Sequence, residues 1–126
     1  MTLLDRSDPE LDALERVRPE LVTAANAHYD DLAAIVGPEL LGACRQRVRA
    51  VLAGETAFPD PADDAERACL AYAEQFVHSA QWVTDEHVDA LRRHLTAEQV
   101  FALTVGISLA ERMDRLTGLL AGLQED

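Results

Sequence analysis

Apolar residues recur along this chain at spacings of three and four, and nowhere do they alternate in the two-residue period of a half-buried strand. Helix punctuation recurs with them. Asp8-Pro9 sets a capping acid before a proline and predicts a short helix to about Val17. Pro19 repeats the device and opens a second helix, with Leu21, Val22, Ala25, Tyr29, Leu32 and Ala33 at helical spacing and Gly37 suited to end it. Pro38 opens a third, carrying Leu40, Leu41, Cys44, Val48, Val51 and Leu52 until Gly54 breaks it.

Residues 54–61, Gly-Glu-Thr-Ala-Phe-Pro-Asp-Pro, are the one strongly non-helical stretch and read as a loop. A fourth helix is expected from about Asp63 to Ser79, with Ala65, Cys69, Tyr72, Ala73 and Phe76 on one face. Thr84 caps a fifth, with Val83 and Val88 placed as a hydrophobic staple. Thr96 and Gln99 form a capping box for the sixth, with Leu95 and Val100 as its staple, and the pattern continues through Val105, Leu109, Met113 and Leu116 towards Gly122. The expected fold is all-α: residues 1–126 as a single domain, a bundle of about six helices with no internal repeat.

Composition narrows the function. A length of 126 residues buries about two-thirds of its unfolded surface around one core. Acidic residues outnumber basic ones 23 to 11, a net charge of -12, so the surface repels phosphate backbones and anionic lipid, and neither nucleic acid nor a membrane is expected as a partner. All the basic side chains are arginines, which excludes lysine Schiff-base chemistry. The opening Met1-Thr2-Leu3-Leu4-Asp5-Arg6 lacks the basic and apolar regions of a secretory signal, and Phe101 to Ala110 is too short to span a bilayer. A cytoplasmic location is the expectation, and the two separated cysteines, Cys44 and Cys69, fit buried thiols better than a disulfide framework.

Two stretches carry a family likeness. Leu40-Leu41-Gly42-Ala43-Cys44-Arg45-Gln46-Arg47-Val48 is similar to the Arg-x-Arg helix preceding the active-site loop of the carboxymuconolactone decarboxylase / alkylhydroperoxidase-D family. The second runs through Glu66-Arg67-Ala68, Ala71-Tyr72-Ala73-Glu74, Val83-Thr84-Asp85, Leu91-Arg92 and Leu95 to Val100, ending in Asp114-Arg115-Leu116, which resembles the family's Asn-Arg-Leu. Arg18-Pro19-Glu20-Leu21 also has a family counterpart. Together these extend over roughly the whole chain.

The resemblance implies an alkylhydroperoxidase-D-like helical fold and a homo-oligomer, a trimer or a multiple of one. It also implies where chemistry should lie. The peroxidase branch uses a glutamate in the Arg-x-Arg helix, a Cys-x-x-Cys pair and a histidine, because a thiolate attacks the peroxide, a second thiol resolves it, and the other two move protons. Position by position the glutamate falls on Gly42, the cysteines on Gly54 and Ala57, and the histidine on Pro61. All four groups are gone, and no cysteine lies between Cys44 and Cys69 to replace them. Disulfide-cycling peroxidase chemistry is thereby disfavoured, and the decarboxylase branch's chemistry is weakened with it.

Few polar residues remain to carry a replacement. Glu74 and His78, four apart on the fourth helix, are candidate acid/base groups, with Trp82 beyond them as a pocket wall. Their plainer reading is a solvated helix face and a core or interface anchor. Glu111, Arg112, Asp114 and Arg115 interrupt the apolar last helix: Glu111 is a candidate catalytic group, Arg112 and Arg115 candidate ligand contacts, and an Arg115–Glu111 pair the plainer alternative. His87 and His94 lack metal-ligand spacing, and His28 beside a buried Tyr29 reads as a surface residue. No phosphate loop, nucleophile motif or dinucleotide fingerprint occurs, so neither cofactor nor metal is expected.

The first functional expectation is a cofactor-independent small-molecule enzyme or ligand-binding protein, with a pocket between the fourth and last helices. A non-catalytic assembly or regulatory protein is the second. A residual antioxidant or redox role for Cys44 and Cys69 is the third, and it requires the two to lie within bridging distance.

Overall fold

The computed structural model describes residues 3–123; Met1 and Thr2, part of the opening segment considered above, lie outside it. Among the described residues there is no strand. Six helices form one arrangement: α1 (Asp12–Val17), α2 (Pro19–Val36), α3 (Pro38–Leu52), α4 (Asp64–Ser79), α5 (Asp85–Arg92) and α6 (Ala97–Leu123). Short 3-10 turns, Pro9–Leu11 and Ala80–Trp82, precede α1 and follow α4.

Local chemistry sets these boundaries. Pro19 and Pro38 each occupy the first turn of a helix, where no amide hydrogen is needed. Between them Gly37 turns the chain at φ 111°, a conformation that a side chain resists. Asp63 accepts a bond from the Glu66 amide at the start of α4. At α6 the capping box is complete: the Thr96 amide donates to Gln99 Oε1 at 2.9 Å, and the Gln99 amide donates to Thr96 Oγ1 at 3.1 Å. At α5 the third position is His87, whose Nδ1 receives the Thr84 amide at 3.0 Å. An imidazole thus does there what glutamate or glutamine usually does.

The core forms where α6 lies against α2 and α3, with α4 packed on α3 and touching α6, where Tyr72 and Thr104 share a hydrogen bond, and α5 set against α4 and α6. Ala102, Leu103, Gly106, Ile107, Ala110 and Met113 make the buried stripe of α6. A buried polar network pins this frame. Arg45 of α3, only 6% exposed, makes a two-pronged ion pair with Asp114 of α6 and donates to the Leu3 carbonyl at 3.2 Å. Asn26 of α2 clamps Leu4 through both its amide and its carbonyl, at 2.7 and 3.0 Å. The segment before the first turn is therefore part of the core, and Leu3 and Leu4 are buried. Every buried side-chain nitrogen and oxygen among the described residues has a partner.

Candidate functional site

The segment between α3 and α4 returns across both helices and leaves a hollow beneath it. Helix α3 contributes Ala43, Gln46, Arg47 and Ala50; the loop contributes Glu55, Ala57, Phe58 and Pro59; α4 contributes Glu66 and Leu70. The hollow is about 280 Å³. A second cavity, about 270 Å³, lies on the other side of Phe58 and is bounded by Pro61, Arg67, Ala71 and Glu74. Arg47, Phe58, Pro59 and Leu70 border both.

Arg47 organises this divide. Its guanidinium pairs with Glu74, stands 4.2 Å from the centre of the Phe58 ring, and donates to the Pro59 carbonyl at 3.5 Å. The ion pair fixes one end of the arginine, and the aromatic face holds the loop down over it. The first cavity therefore has an apolar base, one guanidinium already matched by a carboxylate, the Gln46 amide, and two further carboxylates, Glu55 and Glu66. Such a lining favours a small ligand with an apolar body and hydrogen-bond donors, because the carboxylates and the amide carbonyl accept.

Two of the four positions matched to the family's redox groups line these cavities, Ala57 the first and Pro61 the second. The other two do not. Gly42 is buried on α3, and a β-carbon built there meets nothing within 4 Å, so the space for a side chain persists. Gly54 has φ 82°, so a cysteine at that position is strained in this loop.

The expected acid/base and ligand residues are not gathered in one place. Glu74 faces Arg47, while His78, one turn on, is exposed and borders none of the cavities described here. Trp82 is 67% exposed in the turn after α4, so it neither walls a pocket nor anchors the core. Glu111 and Arg115 form the four-residue pair at 3.0 Å, and Arg112 is exposed. Arg115 also borders a third cavity of about 280 Å³, between the opening segment and α6, where Arg49, Leu52 and Asp114 meet Leu4, Asp5 and Asp8. The pocket expected between α4 and α6 is thus not where these residues lie. Polar side chains on helices drew the sequence reading, but the cavity forms where the loop departs from helix. Phe58, the one aromatic residue in the long non-helical stretch and directly followed by Pro59, is the sequence signal for it.

Cys44 of α3 and Cys69 of α4 are both free and both fully buried. Comparison of the chain with family models, with curated proteins and with solved structures gave no match.

Proposed function

We propose that this chain is a carboxymuconolactone decarboxylase-like protein that binds a small, partly apolar molecule beneath the α3–α4 loop, without the family's thiol peroxidase reaction. The observation that carries this reading is the cavity bordered by Arg47, Glu55, Phe58 and Glu66, at the loop where the resemblance places the family's chemistry. Its volume, about 280 Å³, is at the lower edge of ligand sites, which suits a metabolite-sized molecule. If bound molecules are transformed, Glu55 and Glu66 are the carboxylates placed to move a proton, since Glu74 is matched by Arg47. The reaction class is then a cofactor-independent lyase or isomerase step.

An amide NMR titration of the full chain with a library of small alcohols, amines and carboxylic acids tests this. The expected result is a set of hits whose shifts cluster on Gln46, Arg47, Glu55, Phe58 and Glu66. Shifts that cluster elsewhere, or no hit at millimolar concentration, contradict it.

Oligomeric assembly is a second reading, favoured by a specific observation. Trp82, Phe101, Leu119 and Leu123 are each more than three-fifths exposed, and three of them lie on α6. Large apolar side chains left outside on an otherwise apolar helix favour a homo-oligomer contact, and the resemblance implies a trimer or a multiple. Sedimentation of the wild type and of Phe101→Glu should show an assembly that the substitution dissociates. A wild type that is monomeric at high micromolar concentration excludes this reading.

A further inference from the structure

We propose that the cavity between the opening segment and α6 binds a small aliphatic amino acid as its zwitterion, the carboxylate against Arg49 and Arg115 and the ammonium against Asp5 and Asp8. The cavity is about 280 Å³ and shares no lining residue with the two beside Phe58, so it stands apart from the ligand proposed beneath the loop. Its charged walls come from different parts of the chain. Asp5, Asp8 and Glu10 line it from the opening segment and first turn, and Arg49 and Arg115 line it from α3 and α6. Among the described residues no ion pair joins the acids of one wall to the arginines of the other. Opposite charges therefore border one hollow without neutralising each other.

Each wall keeps hydrogen-bonding capacity that the fold does not use. Asp114 carries one negative charge but stands beside two guanidinium groups. Arg45 takes both of its oxygens, and Arg49 is left 3.7 Å away, beyond hydrogen-bond reach. Arg115 spends its Nε on Glu111 at 3.0 Å, which leaves its two terminal nitrogens for another acceptor. Such planar donors match a carboxylate. On the opposite wall, one oxygen of Asp5 accepts from the Ser7 amide and hydroxyl at 2.9 and 2.6 Å, and one oxygen of Asp8 accepts from the Glu10 amide at 3.0 Å. The second oxygen of each accepts no hydrogen bond among the described residues. Arg6 does not neutralise them, because it pairs with Glu15 and donates to Thr23 and to the Pro19 carbonyl.

The lining selects the ligand class. Leu4 and Leu11 are buried and Leu52 half-buried where they border the cavity, so its remaining surface suits an aliphatic chain. Among the described residues no three acidic, histidine or cysteine side chains converge as a metal site would need. An ammonium group, with three donors, can instead reach carboxylates that stand apart. A simple anion meets the repulsion of the three acids, and a simple amine leaves the arginines unmatched. A molecule with both charges and a short apolar body satisfies both walls.

The test is calorimetric and amide NMR titration of the full chain, with L-leucine and δ-aminovalerate as probes and pentylamine and pentanoate as single-charge controls. At least one zwitterion should shift the amides of Leu4, Asp5, Asp8 and Arg115 and bind at least about tenfold more tightly than either control. Arg49→Gln should weaken that zwitterion at least about tenfold without weakening pentylamine. Asp5→Asn combined with Asp8→Asn keeps the oxygens that accept from Ser7 and Glu10, and should weaken the zwitterion equally without weakening pentanoate. No shift from either zwitterion at about 10 mM, a control that binds as tightly, or shifts clustered beneath the α3–α4 loop overturn the proposal. So does unchanged zwitterion affinity in a folded variant. The comparison of ligands on the wild type decides the matter even where a variant fails to fold.

Discussion

Replacing Asp114 with alanine should destabilise the fold by about 3–5 kcal/mol, the cost of leaving one member of a buried ion pair without its partner. Arg45 is 6% exposed and gives two hydrogen bonds to Asp114 and a third to the Leu3 carbonyl. Removal of the carboxylate strands a guanidinium that cannot lose its charge. Arg49, 3.7 Å from Asp114 and largely exposed, can turn to water instead, so the loss centres on Arg45. A loss of that size is a large part of a typical domain's total of about 5–15 kcal/mol. Urea unfolding measures it directly. The double replacement Arg45→Met with Asp114→Leu should recover most of the loss, because the cost lies in the unpaired charge and not in the absence of the bridge. If Asp114→Ala shifts the midpoint by less than the equivalent of about 1 kcal/mol, the pair is not the buried clamp described here.

The Gly106→Leu substitution should cost about 3 kcal/mol, near the upper end for overpacking. At this point α6 crosses α3 so closely that a β-carbon on Gly106 falls 2.9 Å from Leu41 Cδ1. Leu41 is itself 1% exposed, so its methyl cannot swing outward to make room. The crowding is mutual, and that supplies a control: Leu41→Ala combined with Gly106→Leu roughly conserves volume and should be more stable than the sum of the two single changes. Strict additivity in thermal or urea unfolding would mean that the two residues do not share this space.

Much of the helical frame was legible because its signals are local. Pro19, Gly37, Pro38, Gly54 and the Thr96–Gln99 pair each act within a few residues, and the observed ends follow them. The single broken stretch after Gly54 was legible as a loop for the same reason. His87 escaped notice as a cap because an imidazole seldom fills the position of glutamate or glutamine. Asn26 holding Leu4, and Arg45 holding Asp114 across 69 residues of chain, carry no local mark at all. Their partners are set by how helices cross, and a periodic pattern specifies only which face is buried.

The candidate site was less legible than the frame. Spacing placed Glu74 and His78 on one helix face, but Glu74 is drawn to Arg47 by charge and His78 is left in solvent. The Arg-x-Arg run that carried the family resemblance holds the two arginines with the largest structural commitments, Arg45 to α6 and Arg47 to α4 and the loop. Alternate positions on a helix point about 200° apart, so one arginine faces the core and the other the cavity. The acids Glu111 and Asp114 on α6 serve as partners to arginines, Arg115 and Arg45 respectively.

The most direct test of the ligand cavity is to fill it. Ala57 is exposed to the hollow beneath the loop, and tryptophan at that position occupies much of its roughly 280 Å³. For the strongest small-molecule hit on the wild type, the Ala57→Trp protein should bind at least about tenfold more weakly by calorimetric titration. Its melting temperature should stay within about 3 °C of the wild type, since the position is on the surface. Affinity that is unchanged in a folded Ala57→Trp protein would contradict a binding site beneath this loop.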